Sequence, residues 1–280
     1  MRPRVRVVTD SASDLDEEAI AEHGIGIVQL DLRLGDYGPE VTSAWSPEEF
    51  WQMTTKVEDL AETSSPSPGA FSEMFSVLAD EGAEAVVCVT LSSKLSGTYQ
   101  IAVIGAESVA DRIRVRVIDS MSATIGQGLV ALAAASAAEA GLDVDAVAAA
   151  AVATRDRLRL YGALDSLDSL RKGGRLGPAQ ALLGGLLDIK PILEMDDGAL
   201  VLESRLRTRS RSLEHLVAKA RERRDVQQLA VVHASADDID AFVALLSDSF
   251  PREIISVGWL GPVIGAHVGK GTIAIAELRA

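Results

Sequence analysis

The chain has 280 residues, a net charge of −14, 48% hydrophobic residues and only 4% aromatics. The length allows one large domain or two ordinary ones, and the core must be built from Ala, Val, Leu and Ile. The single cysteine, Cys88, leaves no disulfide and no cysteine-based metal site. The charge is uneven: residues 1–154 carry 9 basic and 24 acidic groups, and residues 155–225 carry 15 and 11. An acidic first half argues against nucleic acid as a partner. No signal peptide is read at the N-terminus, where Thr9-Asp10 cuts the apolar run short, and no segment is long and apolar enough for a membrane span. The expectation is a cytoplasmic α/β protein.

Arg4 to Thr9 alternates like a strand and ends in Thr9-Asp10-Ser11. A helix follows over Leu15–His23, with acids in its first turn, and then a strand over Ile25–Leu34. Gly35–Ser46 is read as loop, and Ser46-Pro47 as a helix start with a serine cap. Thr63-Ser-Ser-Pro-Ser-Pro-Gly69 is a fixed, extended loop, because its two prolines forbid regular structure. Val86–Thr90 is a continuous apolar run, the mark of a strand buried on both faces. It leads through Leu91-Ser-Ser-Lys-Leu-Ser-Gly-Thr98 into a helix, and Arg114–Asp119 leads into Ser120-Met-Ser122.

Three strands thus end in acids and hydroxyls ahead of a helix. In a parallel sheet those ends share one edge, where ligands sit and where free N–H groups at helix starts suit an anion. This convergence is the strongest residue-level sign of a polar site.

Two Ala-rich helices, Ala123–Gly141 and Val144–Arg157, close a first domain at residues 1–157. In the second, 158–280, strand Leu160–Leu164 precedes a short helix stopped by Gly173-Gly174, an apolar helix over 177–187, and strand Ile189–Glu194. Asp196-Asp-Gly198 signals a hairpin turn into Ala199–Leu206. An arginine-faced helix over 208–224 is read as a docking face for a partner or membrane, or simply as solvated surface. Later strands flank a glycine-rich loop, 260–271, that carries His267.

No Gly-x-Ser-x-Gly elbow, Walker A loop, dinucleotide fingerprint or zinc spacing is present. What remains is a set of neutral hydroxyl donors, one loop histidine and arginines, a set suited to holding an anion. An acyl esterase or thioesterase using Ser93 or Ser96 with His267 is the alternative, and a phosphotransfer module a third. The residues by themselves favour a binder over an enzyme.

Six segments carry a resemblance: Val8-Thr-Asp-Ser11, Thr63-Ser-Ser-Pro-Ser67, Leu91–Tyr99, Val117–Ser122, Leu167–Arg175 and Val263–Gly271. In that order they resemble the DegV family of bacterial fatty-acid-binding proteins. Ser65, Ala266 and Lys270 depart from the usual family residues. The resemblance implies two α/β domains, a Rossmann-like parallel-sheet domain and an α/β sandwich, with a long-chain fatty acid held between them. It implies that Thr63 and Ser93 bind the carboxylate beside His267, with Ser64 and Ser96 as neighbours. Arg175, and more weakly Arg205, match positions tied to the site or to docking. The implied role is a non-enzymatic carrier without cofactor or metal. Such a carrier presents its ligand to a fatty-acid kinase, whose acyl phosphate feeds phospholipid synthesis. The small residues around Ala179–Leu187 are read either as walls of the acyl tunnel or as ordinary core. A monomer with transient membrane contact is expected.

Overall fold

A computed structural model describes residues 3–57, 59, 61–177, 189–222 and 225–280. The helix expected over 177–187, with its tunnel-wall residues, therefore falls almost wholly outside the described residues. So do Arg223 and Arg224.

Contacts divide the chain into two units: residues 1–31 with 64–156, and residues 32–63 with 157–280. The division differs from two continuous segments meeting at 157. The excursion 32–63 packs with the second half of the chain, for a reason given below.

The first unit is built on a parallel sheet of β1 (Val5–Asp10), β2 (Gly26–Val28), β5 (Ala85–Thr90) and β6 (Arg114–Asp119), in the order β2-β1-β5-β6. Every residue of β1 and β5 is buried; the continuous apolar run of β5 requires this, whereas β1 buries Arg6 as well, whose guanidinium donates to the Gly24 carbonyl at 2.9 Å. One face packs on α6 (Thr124–Glu139) and α7 (Val144–Arg157), through Val7, Val87, Val89 and a bed of alanines. The other packs on α4 (Pro68–Asp80) and α5 (Thr98–Ser108), through Val8, Val86, Cys88, Phe71 and Phe75. Small residues let those helices approach: a Cβ on Gly105 would lie 2.7 Å from that of Phe71. Ser67 caps α4 ahead of Pro68, and Asp16 caps α1 (Glu17–His23). The strand expected over Ile25–Leu34 is two: β2, and β3 (Asp31–Arg33), which pairs instead with β4 (Glu62–Ser64).

The second unit holds a six-stranded sheet. Its strands are β7 (Leu158–Ala163), β8 (Lys190–Asp196), β9 (Ala199–Leu206), β10 (Val226–His233), β11 (Ile255–Trp259) and β12 (Ile273–Arg279), in the order β11-β10-β12-β7-β8-β9. Only β10–β11 is parallel among these described pairs. The β8–β9 hairpin turns at Asp197 (φ 46) and Gly198 (φ 79), two left-handed residues as an Asp-Gly turn demands. Helices α9 (Arg209–Arg221) and α10 (Ile239–Ser247) cover one face around Leu213, Leu216, Phe242 and Leu246.

The excursion adds α2 (Pro39–Thr42), where a loop was expected, and α3 (Pro47–Met53), which begins with a full capping box of Ser46 and Glu49. Phe50 and Trp51 are 0% and 4% exposed, edge-to-face at 4.9 Å. Trp51 Nε1–H donates to the Leu260 carbonyl at 3.0 Å. That bond and the two rings tie the excursion to the distant second half.

Candidate functional site

The expected glycine-rich loop around His267 is a helix, α11 (Pro262–Val268). Proline at its first position and Gly269 in the left-handed region after it are a start and a stop signal, which the glycine content masked. Gly265 lets this helix lie against Trp51, whose Cζ2 would be 2.6 Å from an added Cβ. This seats His267 in the last turn of a helix rather than on a mobile loop.

Thr63, in β4 and not in the loop after it, shares a 2.7 Å hydrogen bond with His267 Nε2, the proton lying on either partner according to tautomer. On the other edge of the ring, Nδ1 faces Gly173, where an added Cβ would fall 2.7 Å away. Burial, and then the positive charge of Arg175, hold the imidazole down at about pKa 4, so it is neutral at pH 7. Arg175 is exposed and donates to the Gly173 carbonyl at 2.7 Å. The second unit therefore brings together three expected residues: Thr63, Arg175 and His267.

The others lie in the first unit. Ser96 joins a chain of hydroxyls, 3.0 Å from Ser65 and 2.8 Å from Thr98, with Thr98 donating on to Ser65 at 3.4 Å. Ser64 Oγ donates to Asp31 at 3.2 Å. Ser93 is exposed, and its backbone N–H donates to the Asp119 carboxylate at 3.3 Å. Thr98 is not among the residues the sequence points to, and Ser65 enters there only as a departure from the family pattern; their place in the same hydroxyl-rich segments is the available signal.

The three strand ends do converge, but their amides are not free for an anion. Asp10 accepts from the N–H groups of Leu91 (2.8 Å) and Ala12 (3.0 Å), and Asp119 from Met121 (2.9 Å) as well as Ser93. The acids that close β1 and β6 fill amide positions that an exogenous anion would take. Burial raises the Asp10 carboxyl to about 6, against hydrogen bonds from Gln127, Leu91 and Ala12 that lower it.

A serine hydrolase would need its histidine on a serine and an acid behind it. Here Nε2 is taken by Thr63 and Nδ1 faces backbone. The arginine-faced helix holds Arg209 in a bidentate pair with Asp238 (2.8 and 2.9 Å), while Arg207 and Arg211 are exposed. Among the described residues no helix is long and apolar enough to cross a membrane, and no group of three His, Cys, Asp or Glu is placed to hold a metal.

Comparison with known proteins agrees over the whole chain. A family model described as "Uncharacterised protein, DegV family" matches residues 4–279. A DegV domain-containing protein of Streptomyces coelicolor is 36% identical over 279 residues, and one of Listeria monocytogenes 31% over 281; each alignment covers 98% of both chains. Among solved structures, a fatty-acid-binding DegV family protein of Thermus thermophilus superposes with TM-score 0.87 at 30% identity, covering 100% of both chains. DegV of Bacillus subtilis, described as a fatty acid binding protein, gives 0.89 at 28% identity, covering 99% of this chain and 100% of that one. The chain belongs to the DegV family.

Proposed function

We propose that this protein binds a long-chain fatty acid, with Thr63 and His267 at its carboxylate, and acts as a carrier rather than an enzyme. The observation behind this reading is the buried, neutral His267 bonded to Thr63, in a chain 30% identical over its whole length to a fatty-acid-binding relative. A neutral imidazole can donate Nε2–H to the Thr63 oxygen. Thr63 O–H is then free to donate to a carboxylate, which accepts only. The family resemblance adds Ser93, Ser96 and Ser64 as further candidates for the head group, and Arg175 is the positive charge that acts on His267. The acyl chain supplies most of the affinity, at about 0.8 kcal/mol per buried methylene. The head group must still be satisfied, because an unpaired buried carboxylate is costly.

Native mass spectrometry of protein purified without added lipid should show the mass of a long-chain fatty acid. Thr63→Val removes a hydrogen bond to a charged group, a loss of about 1.5–3 kcal/mol, or roughly 10- to 100-fold in affinity. Protein that arrives empty and refuses added oleate and palmitate would overturn the reading.

The further steps are also proposals: handing the fatty acid to a kinase, formation of an acyl phosphate and its use in phospholipid synthesis, all in the cytoplasm. Docking through the arginine helix is tested with Arg207→Glu/Arg211→Glu, since Arg209 is tied to Asp238 within the fold. Expected is a loss of acyl-phosphate formation with lipid binding intact; unchanged turnover removes this helix from docking.

A further inference from the structure

An edge strand presents a row of N–H and C=O groups that another chain can join, and proteins guard such edges with charges, proline, bulges or shortness. Among the described residues, three of the four edges of the two larger sheets are guarded. Strand β2 has only three residues, and β6 carries Arg114 and Arg116, both within ion-pair distance of Asp145. Strand β9 carries Glu203 and Arg205 and meets β8 across a bulge. Strand β11 is the exception. Its five residues, Ile-Ser-Val-Gly-Trp, hold no charge and no proline, and Val257 is 41% exposed.

The pairing with β10 fixes which groups of β11 point outward. Leu260 N–H donates to the His233 carbonyl, and Trp259 stands opposite His233 in the parallel register. Alternation then turns Ser256, Gly258 and Leu260 towards β10, and the N–H and C=O of Ile255, Val257 and Trp259 away from it. Ile255 is closed at both groups: its N–H donates to the Arg252 carbonyl, and its C=O accepts from the Arg252 guanidinium. The open edge is therefore Val257 to Trp259, with Gly258 at its midpoint.

This short edge is complementary to itself. Two copies run antiparallel about a two-fold axis at Gly258 set Val257 of one protomer opposite the partner's Trp259, and the reverse. The N–H and C=O of both residues are then all used, with none left over. Val257 and Trp259 share one face of the strand, so each such pair places a β-branched side chain beside an aromatic one, a favourable cross-strand combination. The two glycines meet at the axis as a pair without ladder bonds, where antiparallel chains come closest. Of Arg252 and Glu253 at the start of β11, the arginine is the one bonded to the strand. Glu48 and Asp240 act on His233 at the other end. Antiparallel pairing thus turns each Arg252 towards the partner's acidic end.

We propose that β11 is a self-association edge, through which two copies of this chain join their six-stranded sheets into one continuous sheet. Three residues on each side bury far less than the roughly 1,200 Å² of a stable complex. The dimer is therefore a weak one, with a dissociation constant on the order of 100 µM, and it replaces the expected monomer only at high concentration.

Two measurements on the full chain test this. In sedimentation equilibrium the average mass should climb from 29.5 kDa towards twice that value as concentration rises from roughly 10 µM to roughly 1 mM. Val257→Lys, which guards the edge, should weaken association at least about tenfold. Val77→Lys, at a position 47% exposed on α4, should leave it unchanged. The second measurement reads the register. A Cβ at Gly258 meets only Val232 Cγ1, at 3.8 Å, so Gly258→Cys folds, and the native Cys88 is buried. Across the axis the two Cα atoms would lie about 4.5 Å apart, within disulfide range. Oxidised glutathione should therefore crosslink Gly258→Cys into a dimer much faster than Ser256→Cys, whose cysteines would stand away from the axis. A mass fixed at 29.5 kDa throughout overturns the proposal. So does association that survives Val257→Lys, or equal crosslinking of the two cysteine variants.

Discussion

Acidification from pH 6.5 to pH 4 should destabilise the second unit by about 3 kcal/mol, and His267→Gln should remove most of that loss. Burial and then Arg175 lower the imidazole from 6.5 to about 4 in the native state. Between those values the unfolded chain binds a proton that the native protein refuses, so stability rises with pH. The contribution is fully present above pH 6.5 and is lost as the pH falls to 4, at about 1.4 kcal/mol per unit. His233, lowered chiefly by burial, acts in the same direction. Asp10 acts in the opposite one. Its carboxyl is raised from 3.8 to about 6, so its contribution is present below pH 3.8 and is lost as pH rises through 6. The two groups lie in different units. The probe must therefore be local, and Trp45, Trp51 and Trp259 provide one, because all three tryptophans belong to the second unit. Urea midpoints read by tryptophan fluorescence should fall on acidification and should fall far less in His267→Gln. Equal midpoints at pH 7 and pH 4.5 in the parent protein would sink the argument.

Gly265→Val should cost about 3 kcal/mol of stability and at least tenfold in lipid affinity. A Cβ at this position would fall 2.6 Å from Trp51 Cζ2 and 3.3 Å from Phe50 Cε1. Neither ring can yield: both are buried against each other, and Trp51 is held by its bond to Leu260. Helix α11 would have to lift instead, carrying His267, two residues on, away from Thr63. Overpacking costs about 1–3 kcal/mol even for small additions, and valine adds more than one methyl. Replacing glycine within a helix returns only about 0.5–1 kcal/mol of propensity, so the clash wins. Gly265→Ala should lie between parent and valine variant. Calorimetric titration with oleate, beside urea unfolding, checks both effects; a valine variant matching the parent in both would refute the packing account.

How far the sequence could be read follows from where each signal lies. Strand β5 is legible because burial on both faces leaves no room for a polar residue until the strand ends, and β1 because its residues alternate, although its one interior arginine, Arg6, is buried with the rest. The cap at Ser46 and the Asp-Gly turn of β8–β9 are local chemistry, and they appear where local chemistry placed them, whereas α4 starts at Pro68 with Ser67 as its cap, inside the segment read as loop. The excursion 32–63 was not assignable, because what holds Phe50 and Trp51 is Leu260 and Gly265, more than 200 residues onward. Helix α11 was hidden by glycines that serve a close approach, not a flexible loop. Thr63 and His267 were both picked out, yet no pattern in the chain announces that they bond to each other. The free amides expected at the strand ends failed for a different reason. The acids read as part of a ligand site are the groups that occupy those amides.

The separation between Thr63 and His267, 204 positions, also sets an order of events at the ribosome. At about 5–20 residues per second, Thr63 emerges roughly 10–40 s before its histidine partner is made. By then the strands and helices of the first unit can already have assembled, while Phe50 and Trp51 wait without their cover. During that interval the nascent chain displays two large aromatic rings to the cell. A ribosome stalled anywhere between residues 156 and 260 should therefore yield a product with one folded unit and a sticky, unprotected segment inside it, a natural substrate for holdase chaperones.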